Sequence, residues 1–318
     1  MGRVLVTGAT GFLGGHVIRA LGPDVAIAQG RDPAKCDELR ASGFEVLQHD
    51  LTKPIAASPK VEAIVHCAAL SAAFGPRKSF VAANVDATRH VVAFAQRMKV
   101  RRFVHISSPT IYFAMADRLN LDENASLPPP INHYAATKRQ AELIVQAAPD
   151  IGPLILRPRG IYGPGDKTLL PTLLKAARRP FPLLRGGAAK IDLTYVDDVV
   201  RAIQCALRED TQLDGQVFNL SGGQVLPVRD IVTQTCAAAG ITARWRAVPL
   251  APALALARLS EAAALLPKMP APIVTRYTLG LFAYAQSLNI SKACNLLQWV
   301  PKVQFANGLV ATFGAEAS

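Results

Sequence analysis

Tyr134 and Lys138, in the run Tyr134-Ala135-Ala136-Thr137-Lys138, have the four-residue spacing of neighbours on one helical face. A phenol, with an ordinary pKa of about 10, is a poor acid–base catalyst at neutral pH, and a nearby ammonium favours its phenolate. Upstream, the apolar run Phe103-Val104-His105-Ile106 ends in Ser107-Ser108-Pro109-Thr110-Ile111-Tyr112. A serine hydroxyl at a strand end can hold a substrate oxygen while a tyrosine exchanges a proton with it. The tetrad Tyr-x-x-x-Lys is common by itself. Its weight here comes from what precedes it.

The chain starts with Val4-Leu5-Val6, then Gly8, Gly11 and Gly14, then the helical pattern of Val17, Ile18 and Leu21. This order is strand, glycine turn, helix. Such glycines let the backbone turn sharply and approach a pyrophosphate, which the first helical N–H groups and the macrodipole then favour. Gly8, Thr10, Gly11, Phe12, Leu13 and Gly14 are the candidate contacts. A second strand, Val25 to Ala28, leads to Gln29-Gly30-Arg31-Asp32-Pro33. A carboxylate at this strand's end commonly bonds a ribose 2′-OH. Gly30 has none, and Arg31 offers a fork for a 2′-phosphate. The pairing favours NADP(H); Asp32, one residue on, keeps NAD(H) open.

Further strands are expected at Phe44–Leu47, Ile64–Ala69 and Phe103–Ile106, with a long helix from Val81 to Met98 that carries Asn84. Alternation of this kind argues for an α/β, doubly wound parallel sheet. Ala68 and Ala69 are small enough for backbone to run beneath a cofactor. His66 and His105, inside strands, are expected in the core. Half of the 318 residues are hydrophobic and 18% are charged, which excludes disorder. The net charge of +12 attracts anions, but the basic residues are scattered, which argues against nucleic acid. Five cysteines without C-x-x-C spacing support neither a disulfide framework nor a metal site. A core strand from residue 3 leaves no room for a signal peptide, and the apolar stretch Ala247–Ala257 is short for a membrane span, so a cytoplasmic protein is expected.

Taken together, Thr7-Gly8-Ala9-Thr10-Gly11-Phe12-Leu13-Gly14, Ser108 and Tyr134-x-x-x-Lys138 resemble the extended short-chain dehydrogenase/reductases. Leu156-Arg157-Pro158-Arg159-Gly160-Ile161-Tyr162-Gly163-Pro164-Gly165-Asp166 and Thr194-Tyr195-Val196-Asp197-Asp198 extend the resemblance over nearly the whole chain. The resemblance implies a Rossmann domain over residues 1–162, with 214–222 returning to its sheet. A smaller, discontinuous C-terminal substrate domain then spans 163–213 and 223–318. It assigns Ser108, Tyr134 and Lys138 to catalysis, Lys138 also to the nicotinamide ribose, and Asp50 and Leu51 to the adenine side. It also implies a homodimer.

Pro109 and Thr110, beside Ser108, and Arg185 are candidate substrate contacts. Residues 248–285 are rich in alanine, leucine and proline, and read as a lid over a greasy substrate, a peripheral membrane contact or plain packing. The order of these segments is similar to the 3β-hydroxysteroid dehydrogenase-like branch, which includes reductases of long-chain β-keto acids. The leading expectation is interconversion of a ketone and a secondary alcohol on a hydrophobic small molecule. The alternatives are a sugar-nucleotide epimerase or dehydratase with tightly held NAD, and a catalytically silent NAD(P)-sensing protein.

Overall fold

The computed structural model describes residues 2–314 except 58, 209, 267, 268 and 273. In the first half, β1 (Val4–Thr7), α1 (Phe12–Leu21), β2 (Ala26–Gly30), α2 (Pro33–Ala41), β3 (Glu45–Gln48) and β4 (Ala63–His66) alternate strand and helix. A continuous helical stretch follows: α3 (Arg77–Phe80), a π turn at Val81–Asp86, and α4 (Ala87–Arg97). Then come β5 (Arg102–Ile106), β6 (Arg118–Leu121), α5 (His133–Gln146) and β7 (Pro153–Pro158). The second half holds β8 (Ile161–Tyr162), α6 (Leu169–Ala176), β9 (Phe181–Leu183), β10 (Lys190–Ile191), β11 (Thr194–Tyr195), α7 (Val196–Ala206) and β12 (Val217–Leu220). It closes with β13 (Leu226–Pro227), α8 (Val228–Ala238), β14 (Trp245–Ala247), α9 (Leu250–Ala263), α10 (Arg276–Ala283), β15 (Gln286–Leu288), α11 (Ser291–Asn295) and α12 (Phe305–Gly314).

Seven strands form one parallel sheet in the order β12-β7-β5-β4-β1-β2-β3. Its central strands are buried on both faces, which explains why they read as apolar runs without alternation. The order reverses beside β1, and there the carboxyl ends of β1 and β4 open a crevice. β12 joins this sheet, in line with the sequence expectation for 216–220.

Packing crosses the boundary drawn from the sequence. The helix α7, assigned to the substrate domain, lies on α1, and its Val199, Val200 and Ile203 share a core with Val4, Val17 and Leu154. Ala293, Leu297 and Trp299 enter the same core. Conversely β6, from the first half, pairs with β15 in a second sheet of order β13-β10-β15-β6. An amphipathic helix shows in sequence that it has an apolar face, but not which sheet receives it.

Candidate active site

Gly8 sits at φ +68°, and a Cβ on it would lie 2.9 Å from the Ala68 Cα. A Cβ on Gly14 would fall 2.3 Å from the Gly8 carbonyl oxygen, so α1 approaches β1 closer than any side chain permits. The N-cap of α1, Gly11, offers no side-chain acceptor, and no acidic residue stands in the first turn. The helix therefore presents N–H groups and the positive end of its dipole to whatever lies in front. What lies in front is a cleft of about 580 Å³. It is lined by every residue singled out for the cofactor at the glycine turn, together with Arg31, Asp50, Leu51, Ala68 and Ala69. An anionic dinucleotide fits this cradle: small residues, free N–H donors and Arg31 at the rim.

Polar side chains fix the cleft walls. Gln29 is buried; it accepts from the Gly8 amide at 2.9 Å and donates to the His49 carbonyl at 2.7 Å. The Asp50 carboxylate accepts from the amide and hydroxyl of Thr52, which hold it below the usual carboxylate range. Asn84 binds Leu70 through both amide and carbonyl and reaches Thr137 on α5 at 3.0 Å, so the cleft floor is tied to the helix that carries Tyr134.

At the end of β2 the competing carboxylate is already engaged. Asp32 caps α2, accepting from the Lys35 amide, with Pro33 at the first helical position. A Cβ on Gly30 would meet the Thr10 Cγ2 at 2.6 Å and the Cys36 Sγ at 3.0 Å. No side chain fits at Gly30 without moving Thr10. Arg31 is exposed at the cleft rim.

The reaction end stands on β5 and α5. Asn132 caps α5 through the Ala135 amide and so aims the first turn that carries Tyr134. Tyr134 is buried at its hydroxyl; burial pushes the phenol above its usual value, while the hydroxyls of Ser108 and Ser71 draw it down. Ser108 is buried and caps the short 3-10 turn Pro109–Tyr112. Its hydroxyl lies 2.9 Å from the Thr110 hydroxyl, which in turn is 3.3 Å from the phenol of Tyr277 on α10. Ser71 and Tyr277 were missed by sequence reasoning. A hydroxyl in the loop after β4, or one brought 167 positions across the chain, carries no local signal.

Lys138 differs from the expectation that it stabilises the phenolate directly. Its buried ammonium donates to the Ile106 carbonyl at 2.6 Å and lies 3.2 Å from Nε2 of His105. Burial pulls it down to about 8, with Glu142 and Cys67 acting in the opposite direction. Two buried acceptors beside a charge that has left water explain the orientation. His105 and His66 lie in the core as expected, with ring centroids 5.3 Å apart. Burial holds both neutral, His66 at about 3 and His105 well below its usual value. His66 meets the Thr7 hydroxyl at 2.7 Å and that of Thr88 at 3.1 Å.

Of the candidate substrate contacts, Pro109 is buried at the start of the 3-10 turn and Thr110 joins the hydroxyl chain. Arg185 is paired within the protein. It makes a two-pronged pair with Asp117 at 2.8 and 3.0 Å, donates to the Ala283 carbonyl and lies over the Tyr284 ring at 4.9 Å. Its fork is spent within the protein. A separate cavity of about 140 Å³ is lined by Phe74, Phe80, Ile131, Tyr277 and the Arg276–Glu261 pair, among others. Residues 248–285 thus contribute wall to this cavity through α9 and α10. Among the described residues no helix is long and apolar enough to cross a membrane.

Comparison with known proteins agrees with this geometry. The model of the NAD dependent epimerase/dehydratase family matches residues 4–221. The chain is 31% identical over 326 residues to the uncharacterized protein YbjS of Escherichia coli, covering 98% of this chain and 96% of that protein. It is 30% identical over 325 residues to a 2-alkyl-3-oxoalkanoate reductase of Stenotrophomonas maltophilia, covering 96% and 97%. Among solved structures, UDP-glucuronic acid 4-epimerase from Bacillus cereus in complex with NAD superposes with a TM-score of 0.76. It is 23% identical, covers 98% of this chain and 97% of that one, and so speaks for the fold.

Proposed function

Because the chain belongs to the NAD dependent epimerase/dehydratase family and is an NAD(P)-dependent oxidoreductase, we propose that it reduces a ketone on an apolar substrate, with NADP(H) as cofactor. The substrate class is a long-chain β-keto acid or a sterol-like ring ketone. The observation that carries this reading is the grouping of Tyr134, Ser108 and Ser71 hydroxyls, with Ser108 linked through Thr110 to Tyr277, which lines a small cavity walled by Phe74, Phe80 and Ile131.

Bound nicotinamide would supply hydride to the carbonyl carbon, or accept it in the reverse direction. Gly8, Gly11 and Gly14 admit the pyrophosphate and the first turn of α1 binds it. The hydroxyls of Ser108 and Ser71 orient the carbonyl oxygen toward Tyr134. Tyr134 donates its proton to that oxygen in reduction and takes one from the alcohol in oxidation. Lys138, one helical turn on, is held by the Ile106 carbonyl and His105. Support for NADP(H) comes from the closed space at Gly30, the occupied carboxylate of Asp32 and the exposed fork of Arg31. The spent fork of Arg185 removes one cation that a sugar diphosphate could use.

The test is NADPH consumption with a 2-alkyl-3-oxo acid series, comparing the wild type with Tyr134→Phe. Turnover in the wild type alone, with NADPH still bound by the variant, is expected. Ketone reduction retained by Tyr134→Phe would refute the mechanism, and activity only on nucleoside-diphosphate sugars would refute the substrate class.

A further inference from the structure

The outer face of α9 is apolar where a soluble helix is normally polar. Its inner face is packed: Ala253, Leu254 and Ala257 lie against Leu184, Leu279 and Ala283. On the other side Leu256 and Leu259 are 66% and 68% exposed, and just past the helix Leu265 and Leu266 are 77% and 61% exposed. Six of the thirteen large apolar side chains that are exposed among the described residues fall between 256 and 274. Single exposed leucines need no explanation, but a contiguous group of them marks a surface that meets something apolar.

Charge identifies the partner. Between Asp230 and Glu316 the sequence contains one acidic residue, Glu261, against Arg244, Arg246, Arg258, Lys268, Arg276, Lys292 and Lys302. Glu261 is already used: its two oxygens accept from the amide and Nε of Arg276, both at 2.7 Å. Arg258 is exposed between Leu256 and Leu259, and Arg244 and Arg246 are exposed on or beside β14, which feeds directly into α9. A second copy docked about a two-fold axis would place this face on itself, setting Arg258 against a segment whose one carboxylate, Glu261, is already paired. A bilayer with anionic headgroups supplies both what the leucines and what the arginines lack.

We propose that α9 and the segment just after it dock on the surface of an anionic lipid bilayer, leucines toward the acyl boundary and arginines toward the headgroups. The same helix carries Glu261 into the wall of the cavity beside Tyr277, so the docked face is one helix thickness from the site.

Vesicle sedimentation tests this without reference to turnover. The full chain is mixed with sucrose-loaded vesicles of phosphatidylglycerol and phosphatidylcholine, or of phosphatidylcholine alone. It is expected to pellet with the former and to be released as salt rises past about 0.5 M, where exposed charges are screened. The triple variant Leu256→Ser, Leu259→Ser, Leu266→Ser is expected to partition about tenfold or more less, with its melting temperature little changed because these side chains are mostly exposed. Arg246→Glu with Arg258→Glu should weaken binding to the anionic vesicles by a similar factor, and gives an independent check on the charge argument. Wild-type protein that stays in the supernatant, or that binds both vesicle types equally, overturns the proposal. So does a triple variant that changes its oligomeric state while its vesicle binding is unchanged, which would make a second copy the occupant.

Discussion

Lys138 and His105 meet at 3.2 Å inside the protein, an ammonium against the Nε2 of a neutral imidazole. With Nε2 accepting, the ring proton belongs on Nδ1, a buried atom with no partner. The imidazole thus serves one function that the geometry makes visible: it is the second acceptor of the Lys138 charge, after the Ile106 carbonyl. Replacing it with Phe leaves that charge with one acceptor. Loss of a hydrogen bond to a charged group is worth about 1.5–3 kcal/mol, or roughly one to two pH units. The alkaline limb of the kcat/KM profile in His105→Phe is expected to move down from about 8 by that amount. His105→Gln, which keeps an acceptor, should bring the limb back; a profile unchanged in His105→Phe would refute the role.

The same lysine has a signature in stability. Its pKa is about 8 in the folded chain and 10.5 as its ordinary value. Between these values the unfolded state binds more protons, so this group makes the fold gain stability as pH rises. Below pH 8 the penalty is fully present, and above 10.5 it is gone. Relative to Lys138→Met, the wild type is expected to gain about 3 kcal/mol across that window, read from paired denaturant melts. A constant difference between the two proteins would contradict the burial of the charge.

Cofactor choice can be read at Arg31 and Gly30. Arg31→Ala is expected to raise KM for NADPH by about tenfold or more, since a charge-assisted fork is lost, while KM for NADH holds. Gly30→Asp alone should not confer NADH preference, because its Cβ would strike Thr10 at 2.6 Å. Gly30→Asp combined with Thr10→Ala should bind NADH better than Gly30→Asp alone, as isothermal titration would show.

Arg185→Ala is expected to leave kcat/KM for the ketone within about twofold, since its fork is committed to Asp117. A tenfold rise in KM would return Arg185 to the substrate site.

Local spacing made part of this site legible before any coordinates. Gly8, Gly11 and Gly14 occupy one turn, and Tyr134 and Lys138 share one helix face, so neither needed tertiary information. Nor did Gly30-Arg31, although the fate of Asp32 as a helix cap turned on whether α2 began there. What stayed hidden came from distance along the chain. Tyr277 reaches Thr110, and Arg185 finds Asp117 68 positions before it; neither partner is marked by composition. His105 had a faint signal, a titratable side chain inside an otherwise apolar strand, but its partner on α5 could not be named. The packing of α7 on α1 was not legible, because the stripe of α7 specifies burial without specifying a neighbour.

The second sheet joins β6, made early in the chain, to β15, made late, and the main core is closed by Ala293, Leu297 and Trp299. On a ribosome that releases the chain from its N-terminus, the glycine turn and Tyr134 emerge long before the residues that complete their surroundings. Dinucleotide half and chemical half therefore share one core that needs residues 286–299 to close. Pairings of such long sequence separation slow folding. A nascent chain stalled before Tyr277 would carry the cofactor fingerprint without the hydroxyl that closes the Ser108–Thr110–Tyr277 chain.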